Sequence, residues 1–148
     1  RGAGPWPGPT LSGGDRTEML TREDLQSFID RLDNEGQAAE EVKPGLWVLR
    51  NGGAECVVDY NPPVVVLRIR VMELPAAGER QTGLFRRLLE LNARELVHGS
   101  YGVEEDHVVL TDTLELEHLD FNEFQASFDS LMLALATHLG SLAPFRER

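Results

Sequence analysis

Residues Leu84–Leu139 read LFRRLLELNARELVHGSYGVEEDHVVLTDTLELEHLDFNEFQASFDSLMLALATHL. Three periodicities succeed one another in this stretch. At 100° per residue, Leu84, Phe85, Leu88, Leu89, Leu91, Asn92 and Leu96 fill an apolar arc of roughly 160°. That predicts a helix from about Gln81 to Val97, closed by Gly99. The arc is wider than one packing contact requires, so a second partner, another subunit, is expected to cover part of it. Ser100–Val103 and Val108–Leu114 then read as a hairpin turning at Glu104-Glu105-Asp106. Asp120 with Glu123 makes a capping box, and Leu119 with Phe124 a hydrophobic staple. A long last helix follows, with Phe121, Phe124, Phe128, Leu131, Met132, Leu135, Leu139 and Leu142 on its apolar side.

Upstream, Thr21 and Asp24 cap a first helix carrying Leu25, Phe28, Ile29 and Leu32, which ends at Asn34–Gly36. Leu46–Arg50 and Ala54–Tyr60 flank Asn51-Gly52-Gly53, a tight-turn signal. Pro62-Pro63 breaks the second of these strands. Val64–Glu73 is a third, with Val65, Leu67, Ile69 and Val71 on its core face. The other face carries Val64, Val66, Arg68 and Arg70. The order is α-β-β-β-α-β-β-α, an antiparallel sheet packed with helices, hence an α+β fold. The opening RGAGPWPGPTLSGGDR lacks any core-forming pattern. A flexible Gly/Pro-rich tail over 1–17 and a single domain over 18–148 are expected.

The chain has 148 residues and a formal charge of −11, and it contains one Cys. That length suffices for one buried core. A single Cys excludes an internal disulfide framework and multi-Cys zinc sites. No apolar run reaches the length of a membrane span. No basic-then-apolar leader opens the chain, so a cytoplasmic protein is expected. Acid predominates at both ends. Gly99–Phe145 holds nine acids and no Lys or Arg, while Lys43–His98 is mildly basic, with eight bases against six acids. Such a surface does not grip phosphate backbones, so no direct nucleic-acid contact is expected. It steers toward basic partners, including proteins that themselves bind nucleic acid.

No catalytic constellation emerges. His98, His107, His118 and His138 are scattered and form no i, i+4 ligand pair. Cys56 lies on a strand without a local base and reads as a small buried hydrophobe. No phosphate-binding glycine loop or nucleophile elbow is present. No cofactor, metal or catalytic residue is therefore expected. Asn92 is the odd member of the apolar arc. A buried Asn needs hydrogen-bond partners, and the expectation is a structural tie to a neighbouring loop or strand.

The L-L-x-L-N helix, the Tyr-Gly and Val-Val-Leu strands, the T-L-x-L-x-x-L-D linker and the E-F opening of the last helix resemble the YbjN family, bacterial proteins described as sensory transduction regulators. They are also similar to class I type III secretion chaperones of the Tir-chaperone kind, which share the element order above. The resemblance implies a small acidic homodimer without enzymatic activity that binds a client protein along apolar patches. Much of the dimer contact in such chaperones comes from the second helix and neighbouring strands. On that basis Leu84, Leu88 and Leu91 are the expected dimer seam. Val64, Val66, Arg68 and Arg70 are the expected partner-binding surface, and Asn92, Asp120 and Glu123 the structural polar residues. The expected function is a non-enzymatic, dimeric protein-binding module of the YbjN type, chaperone-like or regulatory in stress or signalling. A true type III secretion chaperone and a small-molecule-sensing regulatory domain are the alternatives.

Overall fold

A computed structural model describes residues 19–147; the tail expected over 1–17 lies outside the described residues. Helix α1 (Arg22–Asn34) precedes strands β1 (Ala38–Lys43), β2 (Leu46–Asn51), β3 (Ala54–Asn61) and β4 (Val64–Glu73). Helix α2 (Glu79–Arg94), strands β5 (Ser100–Glu104) and β6 (His107–Glu115), and helix α3 (Phe121–Leu142) complete the order. A short 3-10 turn, Ala143–Phe145, follows α3. The six strands form one sheet in the order β1-β2-β3-β4-β6-β5, and every pairing is antiparallel.

The α+β fold stands, with one strand more than the sequence reading contains. Strand β1 reads AAEEVK and is almost wholly exposed. It has no alternation of apolar residues to signal it, and it is recruited by backbone pairing to β2. Its charges hold it in place. Glu41 pairs with Arg22 of α1 and accepts from the Gly45 amide, and Glu40 pairs with Arg50 of β2. Those contacts hold the Glu41 carboxyl below the usual carboxylate range, the Gly45 amide chief among the causes.

Both capping boxes form. Thr21 and Asp24 exchange side chain-to-backbone hydrogen bonds at the start of α1, and Asp120 and Glu123 do the same at α3. Each satisfies two amides that a helix start leaves without partners. Cross-sheet register puts Trp47, Leu49, Cys56, Val58, Val65, Leu67, Ile69 and Leu110 on the core side, all at most 1% exposed. Leu25 and Ile29 of α1, Leu84 and Leu91 of α2, and Phe124 and Phe128 of α3 complete one contiguous core. Trp47 also anchors α1 to the sheet, its Nε1 donating to Gln26 Oε1 at 2.8 Å.

Two departures from the sequence reading have a cause in the backbone. A bulge between Arg70 and Met72 shifts the phase of β4, so Met72 rather than Val71 enters the core proper. Helix α2 stops at Arg94, three residues early. Its last turn widens, the Glu95 amide and, five residues on, the Leu96 amide both donating to Leu91 O. The apolar spacing continues through Leu96, but the hydrogen-bond ladder does not.

Candidate functional site

The apolar arc of α2 divides into two stripes. The inner stripe is Leu84, Leu88 and Leu91, which are 0%, 4% and 0% exposed in the single chain. These three side chains belong to the protomer's own core. The expectation that they form a dimer seam is corrected, because they present no surface to a second subunit. The outer stripe is Phe85 and Leu89, continued by Leu96 beyond the helix end. Leu89 is 67% exposed, and Phe85 and Leu96 are half-buried. Exposed Val97 follows the helix, and half-exposed Val103 sits on edge strand β5, which packs against α2. The width of the arc signalled two partners; the periodicity alone did not say which half faces inward.

Asn92 ties α2 to β5. Its Oδ1 accepts from the Tyr101 amide at 2.7 Å, and its Nδ2 donates to the Tyr101 carbonyl at 3.1 Å. The side-chain amide therefore pairs with Tyr101 as a neighbouring strand would. The Tyr101 ring turns inward, and its hydroxyl lies 2.7 Å from His138 Nδ1 of α3. The other ring nitrogen of His138 is 3.3 Å from Glu95 Oε1 at the end of α2. The buried imidazole thus sits between the Tyr101 hydroxyl on one nitrogen and the Glu95 carboxylate on the other. Burial, with the Glu95 charge adding to it, pushes the Tyr101 phenol up to about 12. This hub pins α2, β5 and α3 together.

Val64, Val66, Arg68 and Arg70 alternate with the buried residues of β4; the first three are half-buried and Arg70 is exposed. Of the four, Arg68 and Arg70 line an open groove of about 1040 Å3. Val57 and Val109 of the sheet and Met132, Leu135 and Leu139 of α3 supply its apolar lining. Arg146 also lines the groove, together with Glu55 and Glu104. The sequence puts Met132, Leu135 and Leu139 on the apolar side of the last helix and gives Arg146 no role. A signal was available, because no charged residue lies between Asp129 and Arg146. A helix apolar on nearly every side, yet at the surface, leaves part of itself uncovered. Leu133, 69% exposed, is uncovered too, on a side of the helix outside the groove.

Among the described residues, no three His, Cys, Asp or Glu side chains are placed to hold a metal ion. No helix among them is long and apolar enough to cross a membrane. Cys56 is fully buried, and burial pushes its thiol up to about 12. The nucleophile is the thiolate. In the folded protein Cys56 is expected to resist iodoacetamide at pH 8, with mass spectrometry showing quantitative labelling only in denaturant. Fast labelling of the native chain would contradict this packing.

The element order and the six-stranded antiparallel sheet match a known chaperone-like fold. The CesT_Tir_1 family model, of type III chaperones, matches residues 18–148. The chain belongs to that family. Solved structures agree on the fold. The heterodimeric ExoU–SpcU complex of the Pseudomonas aeruginosa type III secretion system matches with a TM-score of 0.58 at 17% identity, covering 78% of this chain and 94% of its own. YbjN from E. coli matches with 0.58 at 15% identity, covering 82% and 96%. The Yersinia pestis secretion chaperone SycH, solved with a fragment of YscM2, matches with 0.54 at 15% identity, covering 79% and 98%. Among curated proteins, none matches the sequence.

Proposed function

We propose that this chain is a non-enzymatic, homodimeric protein-binding module of the cytoplasm, chaperone-like or regulatory in the manner of the YbjN group. The observation that carries the reading is the pair of apolar surfaces left outside a complete core. One is the outer stripe Phe85 and Leu89 of α2, with Leu96, Val97 and Val103 beyond and beside it. The other is the groove along α3. A soluble monomer rarely leaves contiguous apolar surface of this kind open. The α2 stripe serves the second copy, because a two-fold axis lets one stripe pack against itself. The groove serves the client. Chaperones of this fold solved with protein partners, SpcU with ExoU and SycH with YscM2, lend support through their shared architecture. The acidic surface away from these patches keeps the protein soluble and favours clients that are basic overall.

Leu89→Asp separates the two surfaces. Sedimentation velocity is expected to show a dimer for the natural chain and a monomer for the variant. Circular dichroism should change little, because Leu89 lies outside the core, while Tm should fall only by what dimerisation adds and lose its dependence on concentration. A natural chain that sediments as a monomer at tens of micromolar would end the dimer reading. A client retained from lysate on the natural chain should be lost on Leu139→Asp. Retention unaffected by that change would end the assignment of the client to the groove.

A further inference from the structure

The charges around the groove run against those of the rest of the molecule. The chain carries −11 overall, yet three arginines line the groove, Arg68 and Arg70 from β4 and Arg146 from beyond α3. Two acids, Glu55 and Glu104, share the lining. Glu55 is ion-paired with Arg50 at 2.9 Å, and Glu104 faces Arg68 at 3.8 Å. Arg70 and Arg146 are exposed and form no ion pair among the described residues. A second, smaller depression shares Arg70 and Arg146 with the groove and is also lined by Glu73, His107 and Glu147, the last accepting from the Ala76 amide at 3.0 Å; neither glutamate is ion-paired with the two arginines among the described residues. Beside them lie Val57, Val109, Met132, Leu135 and Leu139, with no competing charge on that part of the helix.

We infer that this groove takes a short client segment combining apolar anchors with carboxylates, the anchors against α3 and the carboxylates on Arg70 and Arg146. The inference rests on the client-binding reading above and names the chemistry of the segment bound. Guanidinium forks match carboxylates bidentately, and an apolar wall beside them lowers the local dielectric. The acidity elsewhere on the surface sharpens the placement. A carboxylate-bearing segment is repelled from most of the molecule and attracted here, which fixes its register. A client basic overall fits the same picture, provided it carries one such acidic-apolar segment.

Three short fluorescein-labelled peptides test this by fluorescence anisotropy: one alternating leucine with glutamate, one with glutamine and one with lysine in the same places. The glutamate peptide is expected to bind about tenfold tighter than the glutamine peptide at low salt, the scale of two partly exposed ion pairs. The lysine peptide should bind weakest. The double variant Arg70→Gln, Arg146→Gln should erase the glutamate preference, as should about 0.5 M salt. Both arginines are exposed, so this variant should keep the fold, which circular dichroism checks. Equal binding of all three peptides, lost in Leu139→Asp, would overturn the charge preference while leaving the groove as the client site. Tightest binding by the lysine peptide would also overturn it. If none of the peptides binds and Leu139→Asp instead shifts the sedimentation coefficient toward monomer, the groove belongs to a second copy, and both the inference and the client assignment fall.

Discussion

Replacing Gly99 by alanine is expected to destabilise the protein by about 3 kcal/mol and to lower its Tm by about 10 °C. Two independent costs combine. The backbone of Gly99 has φ of 77°, a conformation in which any residue with a Cβ is strained. There is also no room. A Cβ on Gly99 would lie 2.5 Å from the Thr111 carbonyl oxygen and 2.8 Å from Leu131 Cδ2. The carbonyl belongs to a paired strand, and Leu131 is fully buried, so neither yields easily. Gly102, three residues on and within β5, is the control. A Cβ there meets nothing within 4 Å, and its φ is unremarkable, so Gly102→Ala should cost well under 1 kcal/mol. Thermal melts of the two variants decide the matter. Equal Tm values would mean that the β5–β6–α3 junction is packed more loosely than described.

Gly99 also shows where sequence reading stops. As a letter, a glycine after a helical pattern reads as a helix terminator. The helix in fact ends at Arg94, and Gly99 is there because a strand and a helix converge on its Cα. Spacing along the chain carries local conformation, so both capping boxes, the Asn51-Gly52-Gly53 turn and the buried face of β4 up to Ile69 were legible. Contacts between distant segments leave no such trace. Strand β1 has no apolar period, and only β2 makes it a strand. The choice of Leu84, Leu88 and Leu91 over Phe85, Leu89 and Leu96 as the inward stripe depends on the angle at which α2 crosses its neighbours. The cationic groove joins Arg68 and Arg70 to Arg146, more than seventy residues later, which no local window can reveal.

Asn92 is where the local and distant arguments meet, and its replacement is the second large effect expected. Asn92→Leu preserves size and helix propensity but removes both hydrogen bonds to Tyr101. The Tyr101 amide and carbonyl point away from β6 at the sheet edge and then lack partners other than water, at a cost of about 2 kcal/mol. Amide exchange at Tyr101 reads this directly. It should be slow in the natural chain, although β5 is an edge strand, and fast in the variant. Asn92→Asp distinguishes a paired amide from mere packing. The carboxylate still accepts from the Tyr101 amide, but its second oxygen faces the Tyr101 carbonyl, and two acceptors repel. That repulsion raises the pKa of the introduced carboxyl in the folded state above its unfolded value of about 4. The deficit of Asn92→Asp should therefore be full above the folded pKa and shrink as pH falls through it, because the protonated acid donates to the carbonyl as the amide did. Asn92→Leu should show no such recovery. A deficit identical in the two variants at every pH would mean that Asn92 acts by filling space. With the amide in place, the edge of β5 is sealed at Tyr101, and what α2 and β5 offer outward is the apolar stripe around Leu89 rather than an open strand. Loss of Asn92 should then unseal the edge as well as destabilise the fold, so aggregation on heating is expected to rise in Asn92→Leu more than its loss of Tm alone accounts for.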